Sequence, residues 1–170
     1  MMRIYIPATL AMLQRLVADG SLWPVNGTAF AVTPRLREAY AEGDDDELGE
    51  VALREAALAS LRLLANAMDE EPDDSLPPRR AVLVADVGEA TLRPDLDDAV
   101  VRLREAVSTD EVVAAFVDNA AAEPHVKAAI AVIDAADLGD EDAELTVGDA
   151  QDHDLAWYAT QELPFLLELL

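Results

Sequence analysis

Two histidines occur in the chain, and the second stands in its densest mixture of potential ligands. Asp149-Ala150-Gln151-Asp152-His153-Asp154 sets one imidazole and three carboxylates within six residues. An imidazole beside hard oxygen donors is what a divalent-cation site needs. Asp149, Asp152, His153 and Asp154 are therefore the metal-ligand candidates. A competing reading is electrostatic: acids that precede a helix cap its free N–H groups and complement its dipole. Transition-metal sites usually bring a second nitrogen at a dedicated spacing, and none is apparent here. The other histidine, His125, follows Pro124 in what reads as the first turn of a helix.

Two further acidic runs carry oxygen donors. Asp95, Asp97 and Asp98, in Arg93-Pro94-Asp95-Leu96-Asp97-Asp98, lead directly into a strand pattern. Neighbouring carboxylates split their pKa values when partly buried, which is the arrangement of an acid/base pair. The plainer reading is a turn whose acids pair with nearby arginines. Residues 137–144 are dense in carboxylates but lack the alternating acids and mid-loop glycine of an EF-hand. They read as a solvated loop.

Other chemistries are excluded by composition. There is no Cys, so disulfides, thiolate metal sites and cysteine nucleophiles are out. No glycine-rich phosphate loop and no G-x-S-x-G elbow occurs. No cofactor is expected. The 35 acids against 12 bases give a formal net charge of −23 and a pI near 4.1. Such a field repels phosphate backbones and anionic membrane surfaces, so neither nucleic acid nor membrane is an expected partner. The charge is uneven: residues 105–170 hold 16 acids and a single base, Lys127. That imbalance serves solubility, or it faces a basic protein partner.

The elements that would position these groups follow from periodicity. Residues 2–7 alternate as a strand, with Met2, Ile4 and Ile6 on one face. Thr9 caps a helix whose stripe is Leu10, Leu13, Leu16 and Val17, and Gly20 stops it. Asn26-Gly27 is a turn signal, followed by a strand over 28–33. Thr33-Pro34 opens a short helix. The longest helix spans about residues 47–68, with Leu53, Ala57, Leu61, Leu64 and Met68 on one stripe. An acidic, proline-bearing connector over about 69–78 reads as a mobile loop. Residues 80–86, apolar on both faces, read as a central strand. A strand over 99–104 follows.

Residues 112–118 fit a helix or a buried strand, and the strand is favoured. A helix over 124–136, a short strand around 145–147 and a last helix from about Asp152 complete the chain, with Pro164 kinking that helix. Residues 2–40 and 112–163 share the order strand, helix, strand, helix. The expectation is a single α+β domain spanning 1–170. Its mixed β-sheet of five or six strands would be built from β-α-β units packed against helices.

The runs Arg3-Ile4-Tyr5-Ile6-Pro7-Ala8-Thr9, Asn26-Gly27-Thr28-Ala29-Phe30-Ala31-Val32-Thr33, residues 93–100 and residues 154–163 resemble an uncharacterised family of acidic actinobacterial proteins, a domain of unknown function. The resemblance implies a bacterial cytoplasmic protein and brings no catalytic or cofactor-binding residues. Cytoplasmic location is also what the opening residues imply, since they show no secretory pattern. The expected function is a non-enzymatic one, protein interaction or regulation. The rival is a small enzyme or divalent-cation binder using its Asp/Glu/His clusters. Trp157, Phe165, Leu166 and Leu169 are the interface candidates, because a single helix face cannot hide an almost wholly apolar tail. A homodimer would cover such a tail.

Overall fold

The computed structural model describes residues 1–40, 42–70 and 76–170. The chain opens with strand β1 (Met2–Ala8), helix α1 (Leu10–Asp19), β2 (Ser21–Leu22), β3 (Thr28–Phe30) and α2 (Pro34–Ala39). The long helix α3 (Asp45–Glu70) leads to β4 (Ala81–Val87), β5 (Thr91–Leu92), β6 (Val100–Arg102) and β7 (Val107–Ser108). Then come β8 (Val112–Val117), α4 (Glu123–Asp137), α5 (Glu141–Gln151), β9 (Ala156–Ala159) and α6 (Leu163–Glu168). The α+β class and the single long helix agree with the sequence pattern. The connector expected over 69–78 falls, at residues 71–75, outside the described residues.

The sheet differs in detail from the expected one of five or six mixed strands. Seven strands lie in the order β5-β6-β3-β1-β4-β8-β9, every neighbouring pair antiparallel, and β2 pairs separately with β7. A parallel pair arises when one helix returns the chain to the end of the sheet where the first strand began. Here each connection carries a second segment. Between β1 and β3 it is β2 with a tight turn, and between β8 and β9 it is the hairpin α4–α5. The extra segment reverses the sense of the incoming strand.

One face of the sheet carries Ile4, Ile6, Ala8, Leu83 and Ala115, which pack against Leu10, Leu13 and Leu16 of α1 and Leu163 and Leu166 of α6. Alternate residues face the other way: Phe30, Val82 and Val100 meet Leu48, Ala52 and Ala56 of α3. Leu61 on α3 then packs with Val126 and Ile133 of α4 and Val147 of α5. The element order expected to be shared by residues 2–40 and 112–163 is not kept: the first stretch runs β1, α1, β2, β3, α2 and the second β8, α4, α5, β9.

Two local expectations are corrected. Residues 145–147 are not a strand but lie within α5, and residues 137–144 are not a single loop. Asp140 caps α5 by accepting the Ala143 N–H at 2.9 Å, and Glu141, Asp142 and Glu144 favour its positive end. Its buried residues are Ala143, Val147 and Ala150, too small to print a strong stripe on the sequence. The helix expected from Asp152 is absent. Asp152 closes α5, the chain extends as β9, and Pro164 sits in the first turn of α6, where its missing N–H costs nothing. The Asn26-Gly27 turn is present with both residues left-handed (φ 58° and 68°), and the Gly27 backbone lies against the Leu103 carbonyl, where a Cβ would stand 2.9 Å away. Among the described residues, no helix is long and apolar enough to cross a membrane.

Candidate functional site

The strongest electrostatic feature is buried, and it joins the ends of two central strands. Arg80 precedes β4 and is 1% exposed; Asp118 follows β8 and is fully buried. The guanidinium donates from Nε and one terminal nitrogen to the two carboxylate oxygens, both at 2.8 Å, a bidentate fork. The Arg80 backbone N–H donates to the same carboxylate at 2.8 Å. The remaining donors reach the turn after α5, namely Gln151 Oε1 and the His153 carbonyl, each at 2.9 Å. Ser60 stitches α3 to the same strand ends, donating to the Ala8 carbonyl at 2.6 Å and accepting from the Ala81 N–H at 3.0 Å. Every nitrogen of the guanidinium is bonded inside the chain, through four of its five N–H donors, and the group is 1% exposed. Its effect is to fix residues 151–153, the segment that launches β9.

That strand is an edge. Beyond β9, among the described residues, no strand pairs with it. Its ladder sense follows from two separate bonds. The Asp118 N–H donates to the Arg80 carbonyl, so Asp118, and with it Phe116 and Ala114, turn their main-chain groups toward β4. Ala115 and Val117 must then bond β9, through their partners Tyr158 and Ala156. Independently, the Ala159 N–H is taken by Glu162 Oε1 at 3.1 Å, so it points away from β8. By alternation Trp157 shares that outward sense and presents both its N–H and its C=O at the open edge. The Trp157 side chain is 58% exposed, beside Phe116 in register, whereas Tyr158 turns to the opposite face and packs on the α1/α6 core. The far end of β9 is tied down by the Thr160 hydroxyl, which donates to the Val112 carbonyl at 2.9 Å.

Both the clamp and the edge lie in a stretch with a recognisable family pattern: the profile of a family of unknown function, DUF6912, matches residues 2–167. The chain belongs to the DUF6912 family. No curated protein and no solved structure matches it. The match takes in every element of the DUF6912 fold described above, from β1 to β9, together with Arg80, Asp118 and Trp157.

Within this DUF6912 chain the residues singled out from sequence are dispersed. Asp149 lies in the last turn of α5 and Asp152 at its end, so they do not stand at a helix N-terminus as the capping explanation required. Among the described residues, no group of three or more His, Asp or Glu converges in a metal-holding arrangement. What the structure does bring together is the two histidines: the His125 and His153 rings lie 4.7 Å apart, tilted by 42°. Asp95 and Asp98 form ion pairs with Arg93 and Arg35, at 2.8 Å and 3.3 Å. The hydrogen bonds from Arg93 hold the Asp95 carboxyl below its ordinary range. Asp97 accepts the Asp98 N–H, so the run is a braced turn. Leu166 is corrected from interface candidate to core: it is buried under the sheet with Leu163, while Phe165 and Leu169 stay exposed on the outer side of α6.

A depression of about 720 Å³ is lined by residues that include Met2, Val87, Glu89, Arg104, Glu105 and Val107, and it holds none of these candidates. Sequence reasoning missed the Arg80–Asp118 pair. Its only signal was a charged residue set immediately against each of two apolar strands, 38 positions apart.

Proposed function

We propose that the protein acts by binding another protein through its C-terminal sheet edge, and not by catalysis. The observation that carries this reading is Trp157: a large aromatic residue more than half exposed on an edge strand, where the alternation of the ladder turns its own N–H and C=O away from β8. Exposed edges template pairing with other chains, and folded proteins normally blunt them. Here the blunting is partial, because Glu162 covers the Ala159 N–H and leaves Trp157 open. Aromatic residues of this kind dominate binding energy at protein contacts. The reading includes the bacterial, cytoplasmic setting that the family resemblance implies.

The test is site-specific photo-crosslinking in the native host, with a photoreactive phenylalanine replacing Trp157 or, as a control, the 90%-exposed Leu138 at the end of α4. One discrete adduct at position 157, identified by mass spectrometry and absent at 138, is expected. Equal or absent labelling at the two positions would overturn the proposal.

A further inference from the structure

We infer that β9 accepts an extended segment of a partner protein bearing Lys and Arg, which adds as an eighth strand. This rests on the reading of the edge as the working surface and names what occupies it.

The geometry defines the mode of binding. Trp157 offers one outward N–H and one outward C=O, and the next outward donor, at Ala159, is closed by Glu162. A guest strand therefore pairs main chain to main chain around Trp157 and runs out at Glu162. This is strand addition, in which backbone bonds supply affinity and alternate side chains supply specificity. The edge is also held still before any guest arrives. The Arg80 clamp fixes the His153 carbonyl on one side of β9, and the Thr160 hydroxyl fixes the other side to Val112. A preorganised edge loses less entropy on pairing.

Charge identifies the guest. Asp152 and Asp154 precede the strand, Glu162 follows it, and all three are exposed. Lys127 is the one base in residues 105–170. A guest with basic side chains on either side of its pairing residue meets opposite charge at both ends of β9. A second copy of this chain meets like charge instead, because each copy carries −23 and lays its own Asp154 and Glu162 along the shared edge. A basic, alternating segment is thus the occupant that satisfies both the open ladder and the field, with an apolar residue packed on the Trp157 ring.

The experiment uses the full chain carrying Trp23→Phe, so that Trp157 is the one fluorophore of its kind. A displayed library of random peptides of about nine residues, somewhat longer than a mean strand, is selected against this protein and counter-selected against the same protein with Trp157→Pro. Because the Trp157 N–H faces outward, proline there removes the docking donor without breaking a bond to β8, and the melting temperature should hold. The expected winners alternate Lys or Arg with Val, Ile or Thr. A synthetic winner should shift Trp157 fluorescence saturably and weaken roughly tenfold between low and physiological salt, as screened charge pairs do. It should also lose at least about tenfold in affinity, near 1.4 kcal/mol, when its pairing amide is N-methylated.

Winners without basic residues, or binding indifferent to N-methylation, would overturn the inference and leave the edge reading standing. So would a dimer in light scattering that Trp157→Pro dissolves. If no peptide is enriched, no dimer forms and no crosslink appears at position 157, the inference and the reading beneath it fail together.

Discussion

Replacing Arg80 by Met tests the centre of the fold, because the guanidinium is the sole counter-charge shown for a fully buried carboxylate. The substitution keeps an unbranched side chain of similar reach and removes four hydrogen bonds: two to Asp118, one to Gln151 and one to the His153 carbonyl. Asp118 is then left with the Arg80 backbone N–H alone. Removing one member of a buried ion pair typically costs about 3–5 kcal/mol, chiefly the penalty of an uncompensated charge. Against a total stability of about 5–15 kcal/mol that is a large fraction. For a chain of this size it corresponds to a fall in melting temperature of about 6–20 °C.

Asp118→Leu should be comparably damaging, since it strands the guanidinium instead. The double substitution Arg80→Met with Asp118→Leu removes both charges and should recover much of the loss, because replacing a whole buried pair by apolar groups is often neutral. Calorimetric melts of the four proteins form a thermodynamic cycle. If Arg80→Met costs under about 1 kcal/mol, or if the double variant loses the full sum of the singles, the pair does not act as a desolvated unit and the reasoning fails.

Other substitutions probe separate links. Leu61→Asp, at a fully buried position between α3 and α4, should cost several kcal/mol and leave the chain aggregated or unfolded, by circular dichroism and size-exclusion chromatography. Leu166→Ala should cost about 2–5 kcal/mol, whereas Phe165→Ser on the exposed side of the same helix should change stability by no more than about 0.5 kcal/mol; denaturant titrations distinguish them. Glu55 is pushed above its ordinary pKa, first by burial and then by Asp97, with Arg62 opposing. A raised carboxyl stabilises the fold below its unfolded pKa and loses that contribution as pH rises through the folded value, so Glu55→Gln should melt higher than the parent at pH 7 and equal to it near pH 4. Amide hydrogen exchange by NMR should find the Ala156 and Tyr158 amides protected and the Trp157 amide fast; a protected Trp157 amide would reverse the assigned sense of the edge.

Most of the scaffold was legible because its signals are local. The stripe containing Leu61 marked α3, and the two-sided apolar run marked β4 as central, with Val82 and Leu83 buried on opposite faces. The strand reading of residues 112–118 prevailed over the helix for the same reason: Val117 and Phe116 serve different faces. What stayed hidden depends on pairing across the chain. The two-residue strands β2, β5 and β7 are too short to show a period and exist through their partners. Helix α5 turns small residues inward and prints no stripe, which is why the sequence pattern offers a loop and a short strand over the same residues. Of the candidate site, Trp157 was readable as an unhidden aromatic residue. Its outward N–H was not, since that depends on which of Ala115 and Phe116 bonds β9.

The two sheet edges show how charge and strand length divide the work. At one side β5 is a two-residue strand with exposed side chains, and a braced turn follows it, in which Arg93 holds Asp95. Short edges bounded by ion pairs resist pairing. At the other side β9 is twice as long, bears the exposed indole, and is steadied from behind by a buried arginine that bonds nothing at the surface. Burying a full charge pair does little for net stability compared with an apolar core of the same volume. What Arg80 gains for the fold is position: one guanidinium ties β4, β8 and the turn after α5 to a common point and so determines where β9 emerges. The most deeply buried charge pair thus stands behind the less protected edge, which is the observation the proposed contact surface leans on.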